Sequence, residues 1–275
     1  MSALLSLDRL SVSVRAGDGR GDGRRRTILH EASLDITSGE VVAVIGPSGG
    51  GKSTLLKAVL GLNRFTGGSM AFEGAPIRRP LDSAHRRLRA SAEAVFQNPL
   101  GALNPHASLR AAIEEPLQAR ATPKAERAKR AQTVAARMGL DAQILERRPG
   151  TVSLGQAQRA CIARALAPRP SLLVLDEPLS ALDALVAAEV AALLSEVIAE
   201  TRPTVLFVSH DMRLVRRLAS RVVVIEAGRI VEDAPAARLL SSPQSQAARL
   251  LVESDGRRRA AFAAARTSGA REAHA

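Results

Sequence analysis

The aliphatic, largely β-branched run Val41–Ile45 ends in Gly46-Pro47-Ser48-Gly49-Gly50-Gly51-Lys52-Ser53-Thr54, and an apolar helical pattern, Ser53–Leu60, begins inside that loop. The loop fits G-x-x-x-x-G-K-[ST], with a buried strand before it and a helix after it, the context that gives the spacing its meaning. Glycines let successive backbone N–H groups turn inward, and the helix N-terminus adds its dipole. Together they form a cradle for phosphate. Lys52 is placed to reach the β- and γ-phosphates of a nucleoside triphosphate, and Ser53 to ligate Mg²⁺.

A second feature fits the same chemistry. Leu172-Leu173-Val174-Leu175 runs into Asp176-Glu177, four apolar residues ending in two carboxylates. That is the pattern of a buried strand whose C-terminal end opens on a ligand crevice. Asp176 is expected at the Mg²⁺ site. Glu177 is expected to polarise the water that attacks the γ-phosphate.

Around these anchors the chain alternates strand and helix. Leu4–Val14 alternates apolar and polar residues and predicts a strand. Ile28–Ile36 predicts a returning strand, and Met70–Phe72 with Gly74 a short hairpin. Val205–Val208 predicts a second buried strand, separated from Leu172–Leu175 by the helix Ala184–Glu200. Val222–Ile225, Gly228 and Arg229–Val231 predict a last hairpin. The expected fold is α/β, a mostly parallel core sheet with helices on both faces and an antiparallel N-terminal β subdomain. The stretch from about Asn98 to Ala167, rich in Ala, Arg, Glu and Gln, predicts a helical subdomain inserted into the sheet. The expected boundaries are a domain over 4–253, with a core of 4–97 and 168–253, helices over 98–167, and a disordered basic tail over 254–275.

Composition narrows the partners. The formal net charge is +12, which raises nucleic acid or anionic lipid as ligands. Yet Arg15–Arg26 and Gly256–Ala275 carry 7 of those charges, and both read as loop or tail. With no Trp or Tyr and five Phe to stack on bases, nucleic-acid binding is not expected. The single cysteine, Cys161, rules out an internal disulfide and fits a reducing compartment. No apolar run approaches the roughly 20 residues of a membrane-spanning helix, and Asp8 and Arg9 interrupt any signal-peptide pattern. At a membrane, other chains would have to supply the pore.

Further short motifs follow in order. Gln97 ends Val95-Phe96-Gln97; Ser153-Leu154-Gly155-Gln156 precedes Gln158-Arg159; Ser180-Ala181-Leu182-Asp183 follows the two carboxylates; His210 lies in Val208-Ser209-His210-Asp211. Over about Leu4 to Val252 the sequence resembles the ABC ATPase family, a branch of the P-loop NTPases. The resemblance implies ATP as the nucleotide. It implies that Gln97 contacts Mg²⁺ and water and senses a transmembrane subunit, and that His210 contacts the γ-phosphate. It also implies that Asp183 makes a dimer contact, and that Ser153, Leu154, Gly155 and Gln156 form the signature motif, which presses on the ATP of a partner subunit.

Two positions depart from the family pattern. Leu154 stands where the signature has its first glycine, and its side chain is expected to crowd the phosphate and restrict the backbone. Val14 stands near the usual adenine-stacking tyrosine, leaving less stacking energy for the base. The stretch Asn98–Pro105, followed by Ile113-Glu114-Glu115-Pro116-Leu117, resembles the importer branch that serves peptides and nickel. That implies two transmembrane permease subunits, a second and non-identical ATPase subunit, an extracytoplasmic solute-binding protein acting indirectly, and a peripheral seat on the cytoplasmic face of the inner membrane. The competing readings are an importer for another small solute, a soluble ABC ATPase acting on nucleic acid, and a regulator that binds ATP without useful hydrolysis.

Overall fold

The computed structural model describes residues 3–15, 25–78 and 82–257. Two long strands, β1 (Ala3–Arg15) and β2 (Arg25–Thr37), pair antiparallel and are joined by β4 (Gly67–Phe72) and β5 (Ala75–Ile77) in one sheet, ordered β2-β1-β4-β5. The second sheet contains β3 (Val41–Ile45), β6 (Ala92–Val95), β7 (Leu172–Asp176), β8 (Thr204–Val208), β9 (Arg221–Glu226) and β10 (Arg229–Pro235). Its order is β10-β9-β3-β8-β7-β6, parallel throughout except for the β9–β10 hairpin.

The β-branched and leucine-rich strands of this sheet are buried on both faces, as a parallel sheet requires. Ala43, Ile45, Leu173, Leu175, Val205 and Phe207 share one cluster with the helices. Their chain neighbours Val42, Val44, Leu172, Val174, Leu206 and Val208 share the other. On that second side the packing partners are α1 (Lys52–Val59), α2 (Ser83–Ser91) and the antiparallel sheet, so a sheet takes much of the place expected for helices. Arg221 ties the two sheets: its guanidinium donates to Asp35 O (2.9 Å), Glu40 Oε1 (3.2 Å) and Asp233 Oδ1 (2.6 Å).

Between β6 and β7 come α3 (Pro99–Ala102), α4 (Leu109–Ala119), α5 (Lys124–Arg137), α6 (Ala142–Leu145) and α7 (Leu154–Leu166). The helix α4 packs on α5 and α7. Arg120, at the end of α4, reaches back to the sheet, 2.7 Å from Glu93 on β6 and 3.2 Å from Ala90 O. The chain continues through α8 (Ala184–Thr201), α9 (Met212–Leu218), α10 (Ala236–Ser241) and α11 (residues 246–257). Residues 254–257 were expected in a disordered tail but are the last turn of α11. Asp255 there is held by Arg216, 3.2 Å away. Residues 258–275, the rest of that expected tail, and residues 16–24 of the basic stretch Arg15–Arg26 lie outside the described residues. Among the described residues no helix is long and apolar enough to cross a membrane.

Candidate functional site

The phosphate loop connects β3 to α1 at the C-terminal edge of the parallel sheet. Gly46 has φ 151, and a Cβ there would lie 2.0 Å from the carbonyl oxygen of Ile225, so only glycine fits. A Cβ on Gly50 would come within 3.0 Å of Pro47 O. Gly49 (φ 75) and Gly51 (φ 103) hold left-handed backbone, where glycine avoids the Cβ penalty. Gly46, Gly50, Gly51 and Lys52 are buried; Pro47, Ser48 and Gly49 form the exposed rim, and Ser53 and Thr54 are half-buried in the first turn of α1. The loop is closed from the far end of the chain, where Gly228 N donates to Gly50 O at 2.9 Å. Motif spacing alone gave no sign of Ile225 and Gly228.

The Lys52 ammonium donates to Gly46 O (2.9 Å) and Pro47 O (2.8 Å). Burial lowers its pKa, opposed by the negative charges of Glu177 and Asp176. An ammonium carries three donors, so one remains for a phosphate oxygen. Next in the chain, Ser53 Oγ donates to Asp176 Oδ1 at 3.0 Å, joining the two sequence anchors across 123 residues. Hard oxygen donors at this spacing suit Mg²⁺, which takes one or two protein ligands and completes its shell with water and phosphate.

Glu177 sits just past β7 with φ 50, a left-handed conformation that costs roughly 1–3 kcal/mol in a non-glycine residue. Backbone bonds hold it there: Glu177 N donates to Val208 O (3.0 Å), and its carbonyl accepts from Ser180 Oγ (3.1 Å). The carboxylate, 19% exposed, meets Nε2 of His210 at 3.0 Å. His210 follows β8, the neighbour of β7, so the sheet brings the pair together. Gln97 is exposed two residues beyond β6, on the other side of β7. Thus β6, β7 and β8 end side by side in Gln97, Asp176–Glu177 and His210.

Other expected site residues lie further out. Ser153 caps α7, accepting from Gln156 N (3.2 Å) while Gln156 Oε1 accepts from Ser153 N (3.0 Å). This capping box satisfies two of the backbone donors at the helix end, those of Ser153 and Gln156. Leu154 begins α7 in helical conformation and is 37% exposed. Gly155 is buried against α8: a Cβ there would stand 2.6 Å from Val186 Cγ1. Asp183 is exposed and caps α8, accepting from Leu185 N and Val186 N. Val14 is half-buried opposite Arg26, at the end of the β1–β2 hairpin. Two residues further along β2, the carbonyl of Ile28 lies 3.2 Å from a Cβ built on Gly51, so this hairpin flanks the phosphate loop.

A family model described as ABC transporter matches residues 29–180. The chain belongs to the ABC transporter family. It binds ATP and hydrolyses it as the ATPase subunit of such a transporter. It is 41% identical over 250 residues to the nickel import ATP-binding protein NikE of Rhodospirillum rubrum, covering 90% of each chain. To the protein of that name from Escherichia coli it is 37% identical over 230 residues, covering 83% of this chain and 86% of the relative. Among solved ABC structures, the dimeric, post-hydrolysis ATP-binding cassette MJ0796 bound to ADP and Pi superimposes with TM-score 0.74 and 28% identity, over 84% of this chain and 98% of that one. The cbiO1 protein of Clostridium perfringens, part of the transporter complex cbiONQ, gives 0.75 and 27%, over 88% and 92%.

Proposed function

We propose that this chain energises the uptake of nickel, a metal chelate or a peptide. The observation that carries the reading is identity of 37–41% to nickel import ATP-binding proteins over at least 83% of both chains. The proline-punctuated stretch Asn98–Pro105, resembling the nickel and peptide importer branch, supports it. In this reading the chain sits on the cytoplasmic face of the membrane beneath two permease subunits, and an extracytoplasmic binding protein delivers the solute. A second, non-identical ATPase subunit completes the dimer.

The roles of Lys52, Ser53, Asp176 and Glu177 follow from charge and position; those of Gln97, His210, Asp183, Val14 and the signature residues are the ones the family resemblance implies. Lys52 and the N–H groups of the phosphate loop hold the β- and γ-phosphates as charge-assisted donors. Ser53, Asp176 and Gln97 would hold Mg²⁺, which when bound neutralises phosphate charge. Glu177 orients and polarises the attacking water, and His210, hydrogen-bonded to Glu177, reaches the γ-phosphate. Ser153 to Gln156, on a helix N-terminus, serve the ATP of the partner subunit. Asp183 contacts that partner from the loop before α8, and Val14 packs against adenine.

Reconstitution with the two permeases and the binding protein tests the reading. Expected is ATP-dependent accumulation of radiolabelled nickel, free or chelated, or of peptide, lost when Lys52 is replaced by Ala. Uptake of neither solute, or ATPase activity that answers to nucleic acid instead, would overturn it.

A further inference from the structure

The cleft that holds Gly46, Glu177 and His210 has a wall from the end of the chain: Leu251, Ser254 and Asp255 of α11 line the same space. This helix is firmly placed. Glu232 accepts from Gln244 N and Ser245 N, Ser245 caps its first turn, and Ala247 and Ala248 are buried in the main core. Its last turn meets α9, the helix directly after His210. Asp211, the N-cap of α9, accepts from Arg213 N (2.8 Å) and is gripped again by the Arg213 guanidinium at 2.9–3.2 Å. One turn later Arg216 reaches Asp255 at 3.2 Å, and the Asp255 side chain is only 11% exposed.

We infer that Asp255 is a positioning residue for hydrolysis, acting through Arg216 and α9 on His210. The inference rests on the reading of His210 as the group that reaches the γ-phosphate. The path is short. Met212, Leu214 and Val215 bury one face of α9 and set its roll coarsely; a polar anchor on the other face of so short a helix narrows it. Arg216 restrains that roll through α11, while Arg213, bonded to the helix's own cap, stiffens the turn that follows His210. Ser209, buried before His210, accepts from Asp211 N at 3.0 Å, so a rotation of α9 is passed to the histidine's backbone. The Glu177–His210 contact of 3.0 Å is then held from both sides, by the strand ends and by α11. A misplaced reacting group loses rate steeply while nucleotide binding, which uses the phosphate loop, is untouched.

The test uses the full chain in the assembled transporter. Asp255→Asn is expected to lower kcat about 3- to 10-fold, with KM for ATP and thermal midpoint nearly unchanged. The swap Asp255→Arg with Arg216→Asp should recover most of the rate. In a His210→Ala background Asp255→Asn should cost nothing further, because the two act as one unit. An unchanged kcat in Asp255→Asn, while His210→Ala lowers turnover by orders of magnitude to a residual rate still measurable in single-turnover assays, overturns the positioning role alone. So does a rate loss that tracks a fall in thermal midpoint and is not recovered by the swap. Full turnover in His210→Ala would overturn the reading of the histidine, and the positioning role with it.

Discussion

At the residue scale, binding and turnover are assigned to different side chains. Lys52 is buried inside the loop and bonded to its carbonyls, whereas Glu177 stands outside the loop, beside His210. Glu177→Gln is therefore expected to retain ATP binding and to lose turnover by at least about 100-fold, since in the proposed role the group acts on the water rather than on the nucleotide. Lys52→Ala should lose both. Nucleotide titration and single-turnover kinetics on the two variants check this, and comparable binding losses would remove Glu177 from its role. The motif residues were legible in the sequence because each is defined by its chain neighbours. Asp255 was not, since an acidic residue before an arginine-rich end reads as solvated chain. Its burial depends on Arg216, 39 positions away.

At the scale of elements, the signature helix and the helix after the Asp176–Glu177 pair pack side by side at their N-terminal turns, where Arg159 also pairs with Glu189 at 2.6 Å. The joint is Gly155 against Val186, and a methyl at 2.6 Å cannot be absorbed there, because the β-branched valine has little rotamer freedom. Gly155→Ala should cost roughly 1–3 kcal/mol by overpacking. Adding Val186→Ala should return most of that stability, as read from denaturant midpoints. The sequence marks Gly155 only as a member of the signature motif; its contact with α8 is not legible there because it joins residues on different helices. Strand β6 was also missed. Ala92-Glu93-Ala94-Val95 has weak strand character of its own, and pairing with β7 decides its conformation. The buried strands β3, β7, β8 and β9 were legible because β-branched and leucine runs of this length fit little else.

At the scale of the whole molecule, the cassette exposes a leucine where its family has glycine. The Leu154 side chain projects from the N-terminus of α7, and a homodimer would present that leucine to both ATP molecules. Losing one donor to a developing charge costs about 2.7–4 kcal/mol, or 100- to 1,000-fold in rate. The purified chain is therefore expected to hydrolyse ATP slowly, and Leu154→Gly to raise its rate. Brisk hydrolysis indifferent to that change would count against a non-identical partner. The closure of the phosphate loop has another consequence, in the order in which the chain is made. Every motif residue has been synthesised by Asp211, yet the strand that shapes Gly46 and the turn that bonds Gly50 come only at Ile225 and Gly228. A nascent chain stalled short of β9 would carry the complete set of motifs and no formed cradle. Because synthesis runs from the N-terminus, ATP can assist folding only after the last hairpin leaves the ribosome. Ribosome-bound chains ending near residue 215 should thus fail to retain a fluorescent ATP analogue, and chains long enough to expose β10 should retain it.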